Sequence, residues 1–123
     1  MTSPFTAPEA AHGYVLDAVR RADRDRFLGA LFAPMPARAG LLALLAFDHE
    51  LSRTNQVTRE PMLARIRLEW WREAVAEATG AGRPRAQPVV EALAETARRH
   101  GLAREAMVAL IDAREDEIDG PLD

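Results

Sequence analysis

Asp112 and Asp116 stand four residues apart near the C-terminal end, with Glu115 and Asp119 beside them. On a helix that spacing sets both carboxylates on one face. Such a face could hold a hard, oxygen-seeking cation such as magnesium. With no second acidic segment to face it, the cluster makes a poor cage, so Asp112 and Asp116 rank only as weak metal candidates. His12, His49 and His100 lie far apart, and none has a partner at metal-ligand spacing. The chain has no cysteine, which removes disulfides, thiolate zinc sites and cysteine nucleophiles from consideration. Trp70-Trp71, set among Arg65, Arg67 and Arg72, is the other group that draws notice. Adjacent helical residues point about 100° apart, so one ring should enter the core and the other face a partner helix, a groove or solvent. The stripe Leu63, Ile66, Trp70 and Ala74 predicts Trp70 as the buried ring and Trp71 as the exposed one.

The elements that must position these residues are helices throughout. From Ala7 onward there is no alternating apolar run and no Asn-Gly or Asp-Gly hairpin signal. Pro8 opens a first helix to about Ala22, with Tyr14, Val15, Ala18 and Val19 as its apolar stripe. A second, short helix over 23–32 presents Phe27, Leu28 and Leu31, and Pro34-Met35-Pro36 ends it. The third, from Pro36 to about Asn55, is apolar nearly all round, with Leu41, Leu42, Leu44, Leu45, Phe47 and Leu51. A helix of this kind is usually buried on most sides, and here it predicts self-association through that surface. The fourth runs from Glu60-Pro61 to the Gly80–Pro84 breaker, and the fifth from Pro88 to His100 with Gly101 as a left-handed cap. The sixth spans about 103–119, carries Met107, Leu110, Ile111, Arg114 and Ile118, and stops at Gly120-Pro121. The expected architecture is an all-α bundle of about six helices in a single domain over residues 1–123.

Composition narrows the function classes. The 123 residues are 48% hydrophobic, which disfavours disorder, and the net charge of −3 disfavours nucleic acid as a partner. The sixteen basic residues are all arginine, and seven of the nineteen acids fall in residues 101–123. No stretch approaches the ~20 apolar residues that cross a bilayer, and the N-terminus lacks a signal core. A cytoplasmic protein is the simplest expectation.

The run Asp25-Arg26-Phe27-Leu28, Leu31-Phe32-Ala33-Pro34, Arg38 and Ala43-Leu44-Leu45-Ala46-Phe47 resembles the opening of squalene/phytoene synthases. Glu50-Leu51-Ser52-Arg53, Glu60-Pro61-Met62-Leu63, the stretch Ile66-Arg67-Leu68-Glu69-Trp70-Trp71-Arg72, Gln87-Pro88-Val89 and Leu110-Ile111-Asp112-Ala113-Arg114-Glu115 resemble its α-proteobacterial and mitochondrial branch, which includes a complex I assembly factor. The resemblance covers about residues 10–119, in order. It implies the N-terminal half of an isoprenoid-synthase-type fold. In the family's active enzymes two aspartate-rich helical motifs hold magnesium ions that neutralise a prenyl diphosphate. The first motif should follow the Ala-Phe pair, and those positions read Ser52-Arg53-Thr54-Asn55-Gln56, with no carboxylate. Arg26 stands where active members have serine before the early Phe. The second motif would lie beyond residue 123.

Three readings follow. The first is a truncated, non-catalytic member that acts as a binding or respiratory-complex assembly-type factor, or through a residual prenyl-lipid groove. Its groove candidates are Arg38, Glu50, Arg67 and Trp71, with no catalytic residue and no cofactor expected. The second is a prenyltransferase that condenses two prenyl diphosphates head to head with Mg2+, completed by a second chain. The third is a plain helical interaction module or a gene remnant. The expected partners are another protein or a second copy, with a prenyl lipid or peripheral contact with a membrane as further candidates.

Overall fold

The computed structural model describes residues 5–57 and 60–119, with the backbone alone at 55–57 and 119. Among these residues there are six helices and no strand: α1 (Glu9–Ala22), α2 (Arg24–Leu31), α3 (Met35–Val57), α4 (Pro61–Thr79), α5 (Pro88–His100) and α6 (Arg104–Asp119). The stop expected at Gly120-Pro121 lies outside them.

Helix ends follow local chemistry. The Asp23 carboxylate accepts the Arg26 backbone N–H at 3.0 Å and so starts α2. The Gln87 side chain accepts the Val90 N–H at 2.8 Å ahead of Pro88, a proline placed where the helix has no use for its N–H. Gly101 takes φ of 71°, a left-handed conformation that suits glycine, and closes α5 through its N–H to Ala97 O. Arg98, Arg99 and His100 in the last turn of α5 complement the helix dipole there.

α3 is the central element and packs against each of the other five helices. Phe47 and Leu51 of α3 meet Leu68 and Val75 of α4, Val90 and Leu93 of α5, and Met107 and Ile111 of α6 in one core. A Cβ on Gly40 would stand 2.9 Å from Thr96 Cγ2, so α3 and α5 approach closely at that point.

Two expectations need correction. The all-round apolar character of α3 is met within the chain. Of the six large residues that carry that character, Leu42, Phe47 and Leu51 are buried, Leu44 and Leu45 are half-covered, and Leu41, at the edge, is exposed. The helix is greasy on most sides because it has neighbours on most sides, so no second chain is required to cover it. The second correction is the rotation of α4. Its buried stripe is Ala64, Leu68, Trp71, Ala74, Val75 and Ala78, while Leu63 and Ile66 are exposed. Trp71 is the core ring, at 6% exposure, and Trp70 the outer one, at 37%. Ala64, Ala74 and Ala78 share the inward face with Leu68, Trp71 and Val75, while Met62, Leu63 and Ile66 stay outside.

Candidate functional site

The C-terminal half of α3 and the N-terminal half of α4 enclose a cleft of about 240 Å³, lined by Glu50, Arg53, Thr54, Arg67, Trp70 and Trp71. A second cleft, of about 470 Å³, lies across α1 and shares Glu50 and Arg53 with the first. Three of the groove residues expected from the sequence, Glu50, Arg67 and Trp71, therefore meet in one place.

The aromatic wall is rigid. Trp71 packs edge-on against Phe47 with centroids 5.6 Å apart, and Trp70 edge-on against Trp71 at 4.9 Å. The Arg85 guanidinium sits over the Trp70 ring at 4.8 Å and donates two 2.8 Å hydrogen bonds to the Glu77 carboxylate. Those bonds hold the Glu77 carboxyl below the ordinary carboxylate range and raise Arg85 above its ordinary value. A carboxyl lowered in the folded state adds stability above its unfolded pKa, and that contribution is lost as pH falls through the folded value. We expect an NMR titration to place the Glu77 midpoint below that of other exposed glutamates. Arg85→Gln should return it upward, and an unchanged midpoint would refute this account of the loop.

The floor of the cleft is cationic. Glu50 Oε1 lies 3.9 Å from Arg53 Nη1, a loose pair one turn apart. Thr54 Oγ1 donates to the Glu50 carbonyl at 3.1 Å, so its hydroxyl proton is turned back onto its own helix. Arg67 is exposed and has no ion pair or hydrogen bond among the described residues.

Arg38 does not join this cleft. It lies twelve residues before Glu50 on the same helix, about 18 Å along the axis at 1.5 Å per residue. Its Nη2 donates to the Leu31 carbonyl at 2.6 Å and, more weakly, to Ala33 O, tying the end of α2 to α3. It borders a separate apolar cleft of about 270 Å³ with His12, Val15, Leu16 and Glu95. Arg38 is therefore a strut in this fold and not part of the groove.

The acidic end is also taken up structurally. Arg72 of α4 binds Asp112 Oδ1 at 2.6 Å and Glu115 Oε1 at 2.7 Å, joining α4 to α6. Burial opposes the Arg72 charge, but the hydrogen bonds to Glu115 and Asp112 outweigh it and raise its pKa. Asp112 is thus matched by a guanidinium, Asp116 stays exposed, and no group of three acids or histidines suited to a metal occurs among the described residues. Asp48 and Glu50, two residues apart on α3, diverge as helix geometry requires. Asp48 bridges Arg26 of α2 and Arg114 of α6 at 3.4 and 3.3 Å, while Glu50 borders the α3–α4 cleft. These bridges between helices were not visible in the sequence, because their partners are 22 to 66 residues apart.

The match to the squalene/phytoene synthase family model runs over residues 19–122, nearly the whole chain. The chain belongs to that family. Curated relatives point to one branch of it: the NADH dehydrogenase (ubiquinone) complex I assembly factor 6 of Rattus norvegicus is 31% identical over 109 residues, covering 89% of this chain and 32% of the relative. The proteins of the same name from Bos taurus and Homo sapiens are 30% and 29% identical over 106 residues, each covering 86% of this chain and 32% of the relative. The chain thus spans about a third of the length of the curated relatives it matches. No solved structure matches it.

Family membership raises the question of magnesium, and the residues present do not fit it. A divalent cation wants several anionic oxygens. At the expected position α3 offers Ser52, Arg53 and Thr54 (the side chains of Asn55 and Gln56 lie outside the described residues). The single carboxylate of the cleft, Glu50, has a guanidinium beside it, and Arg67 adds a second cation.

Proposed function

We propose that this squalene/phytoene synthase family member forms no carbon–carbon bond and acts instead by binding another protein, as an assembly-type factor for a respiratory complex. The observation that carries this reading is the pair Arg53 and Arg67 in the α3–α4 cleft, where ionising a diphosphate through metal would need carboxylates. The similarity to proteins named as complex I assembly factors supports it, since it extends over 86–89% of the chain. No helix among the described residues is long and apolar enough to cross a membrane. We place the protein in the cytoplasm, a reducing compartment that suits a chain without cysteine.

The test is direct. With prenyl diphosphates and Mg2+, the purified chain should yield no squalene or phytoene. Product well above the enzyme-free blank would overturn the non-catalytic reading and restore the prenyltransferase alternative.

A further inference from the structure

The first two and a half turns of α4 carry apolar side chains on both sides. The inward side belongs to the core, but Met62 (67% exposed), Leu63, Ile66 (57% exposed) and Trp70, whose ring also carries the Arg85 guanidinium, form an exposed outward face. Met62, Ile66 and Trp70 are four residues apart and make one ridge. Leu63, Arg67 and Trp71 make the next row, so a shallow groove runs between the two. Arg67, in that second row, is exposed and has no ion pair or hydrogen bond among the described residues, a state it shares with Arg24, Arg83 and Arg104. Elsewhere Arg72, Arg85 and Arg114 are bound by carboxylates, and Arg38 and Arg98 by carbonyls. Ridge, groove and guanidinium together are what a crossing helix needs from its host.

We propose that this face of α4, Met62, Leu63, Ile66 and Trp70 with Arg67 beside it, docks an amphipathic helix of another protein that sets a carboxylate against Arg67. The proposal deepens the assembly-type reading, on which it rests only in taking the occupant to be a protein. An apolar ridge laid between the two rows crosses α4 at about −50°, the commonest helix-packing class. Trp70 and Arg67 are residue types enriched where binding energy concentrates. A carboxylate excluded from water beside Arg67 makes a bidentate, charge-assisted pair and selects against basic or uncharged helices.

Charge separates this occupant from two others. A second copy of the same face, packed antiparallel about Ile66, would set the two Arg67 side chains on one flank and about 3 Å apart along the axis. Two like charges gathered on one flank, with helix axes about 8–10 Å apart in such packing, disfavour that dimer. A flat anionic bilayer would meet Glu73 and Glu77, which are exposed one heptad beyond Ile66 and Trp70 on the same outward line. Arg85 offsets only one of those two charges. A crossing helix covers only the N-terminal half of α4 and avoids both glutamates.

The experiment places photoreactive benzoylphenylalanine at Ile66 in the full chain, expressed in its own host, with the same residue at exposed Leu28 as control. Crosslinked peptides are mapped by mass spectrometry. The expected product from Ile66, and not from Leu28, is one segment of another protein with apolar residues at helical spacing and an Asp or Glu among them. Arg67→Glu should cut its yield about tenfold while leaving the helical circular dichroism and melting curve intact. Changing the mapped acid to Arg should restore the yield in the Arg67→Glu background. Crosslinks to lipid, to a second copy or to another part of the same polypeptide would each overturn the proposal. So would a yield indifferent to Arg67→Glu, or no crosslink at all. A rescued partner unrelated to respiratory complexes would uphold the docking face and sink the assembly reading. Respiratory subunits that bind without a crosslink at Ile66 would do the reverse.

Discussion

Trp71→Ala should destabilise the chain by about 3–5 kcal/mol, the range for deleting a large aromatic from a core. The ring is 6% exposed, and its edge contacts hold Phe47 on one side and Trp70 on the other. Removing it opens a cavity where α3 meets α4, at the wall of the cleft, so the loss combines transfer and cavity terms. Trp70→Ala removes a ring that is 37% exposed and whose outer face carries Arg85. Its expected cost is smaller, about 1–2 kcal/mol, within the ordinary range for a partly covered position. Urea unfolding of both variants measures the order. Equal losses, or a larger loss at Trp70, would mean that α4 is rotated the other way.

Phe47→Lys should fail to fold at 25 °C. Phe47 has no exposed surface and lies where α3, α4 and α6 share the core. An ammonium placed there has no carboxylate partner within the apolar cluster. It must either be buried charged or give up its proton, and both are costly. The expected loss exceeds about 4–5 kcal/mol, a large part of the stability of a domain this size. Leu41→Lys on the same helix should change stability by no more than about 0.5 kcal/mol, because Leu41 is already 37% exposed and lysine is a good helix former. If Phe47→Lys stayed folded and merely changed its association state, α3 would after all be an intermolecular surface.

These two variants mark where the fold was legible in the sequence. Helix existence and ends could be read because Pro8, Pro61, Pro88 and Gly101 act locally, through a missing N–H or a left-handed φ, and the observed helices begin and end close to them. The orientation of α5 was equally plain, since Val90, Leu93, Ala94 and Ala97 form one apolar face with polar residues opposite. α4 misled because its N-terminal half is apolar on two faces. The true core face, Ala64, Leu68, Trp71 and Val75, includes an alanine that hydropathy ranks below Leu63 or Ile66. Which face goes inward is set by the helices that surround α4, here α3, α5 and α6, and not by its own side chains alone.

The candidate site was legible in part for a related reason. Glu50, Arg67 and Trp71 came from positions that the family resemblance marks, and the structure brings them to one cleft. Arg38 came from the same resemblance, but a family position can be kept for architecture as well as for binding. Its bond to the Leu31 carbonyl shows the architectural use. The Arg72 bridge to Asp112 and Glu115 could not be foreseen, since it depends on how two helices 40 residues apart come to lie side by side. Read along the chain alone, Asp112 and Asp116 with Glu115 beside them rank only as weak metal candidates, and nothing local marks Arg72 as their partner.

On the reading proposed above, the chain works by binding a respiratory-complex protein and not by making an isoprenoid. Affinity purification of the full-length protein from its own host, after mild crosslinking and with quantitative mass spectrometry, tests it most directly. We expect enrichment of respiratory-complex subunits or their assembly intermediates over a mock purification, with the enrichment reduced in Arg67→Glu. Enrichment of carotenoid- or hopanoid-forming enzymes in their place, with no respiratory subunit above the mock level, would contradict it.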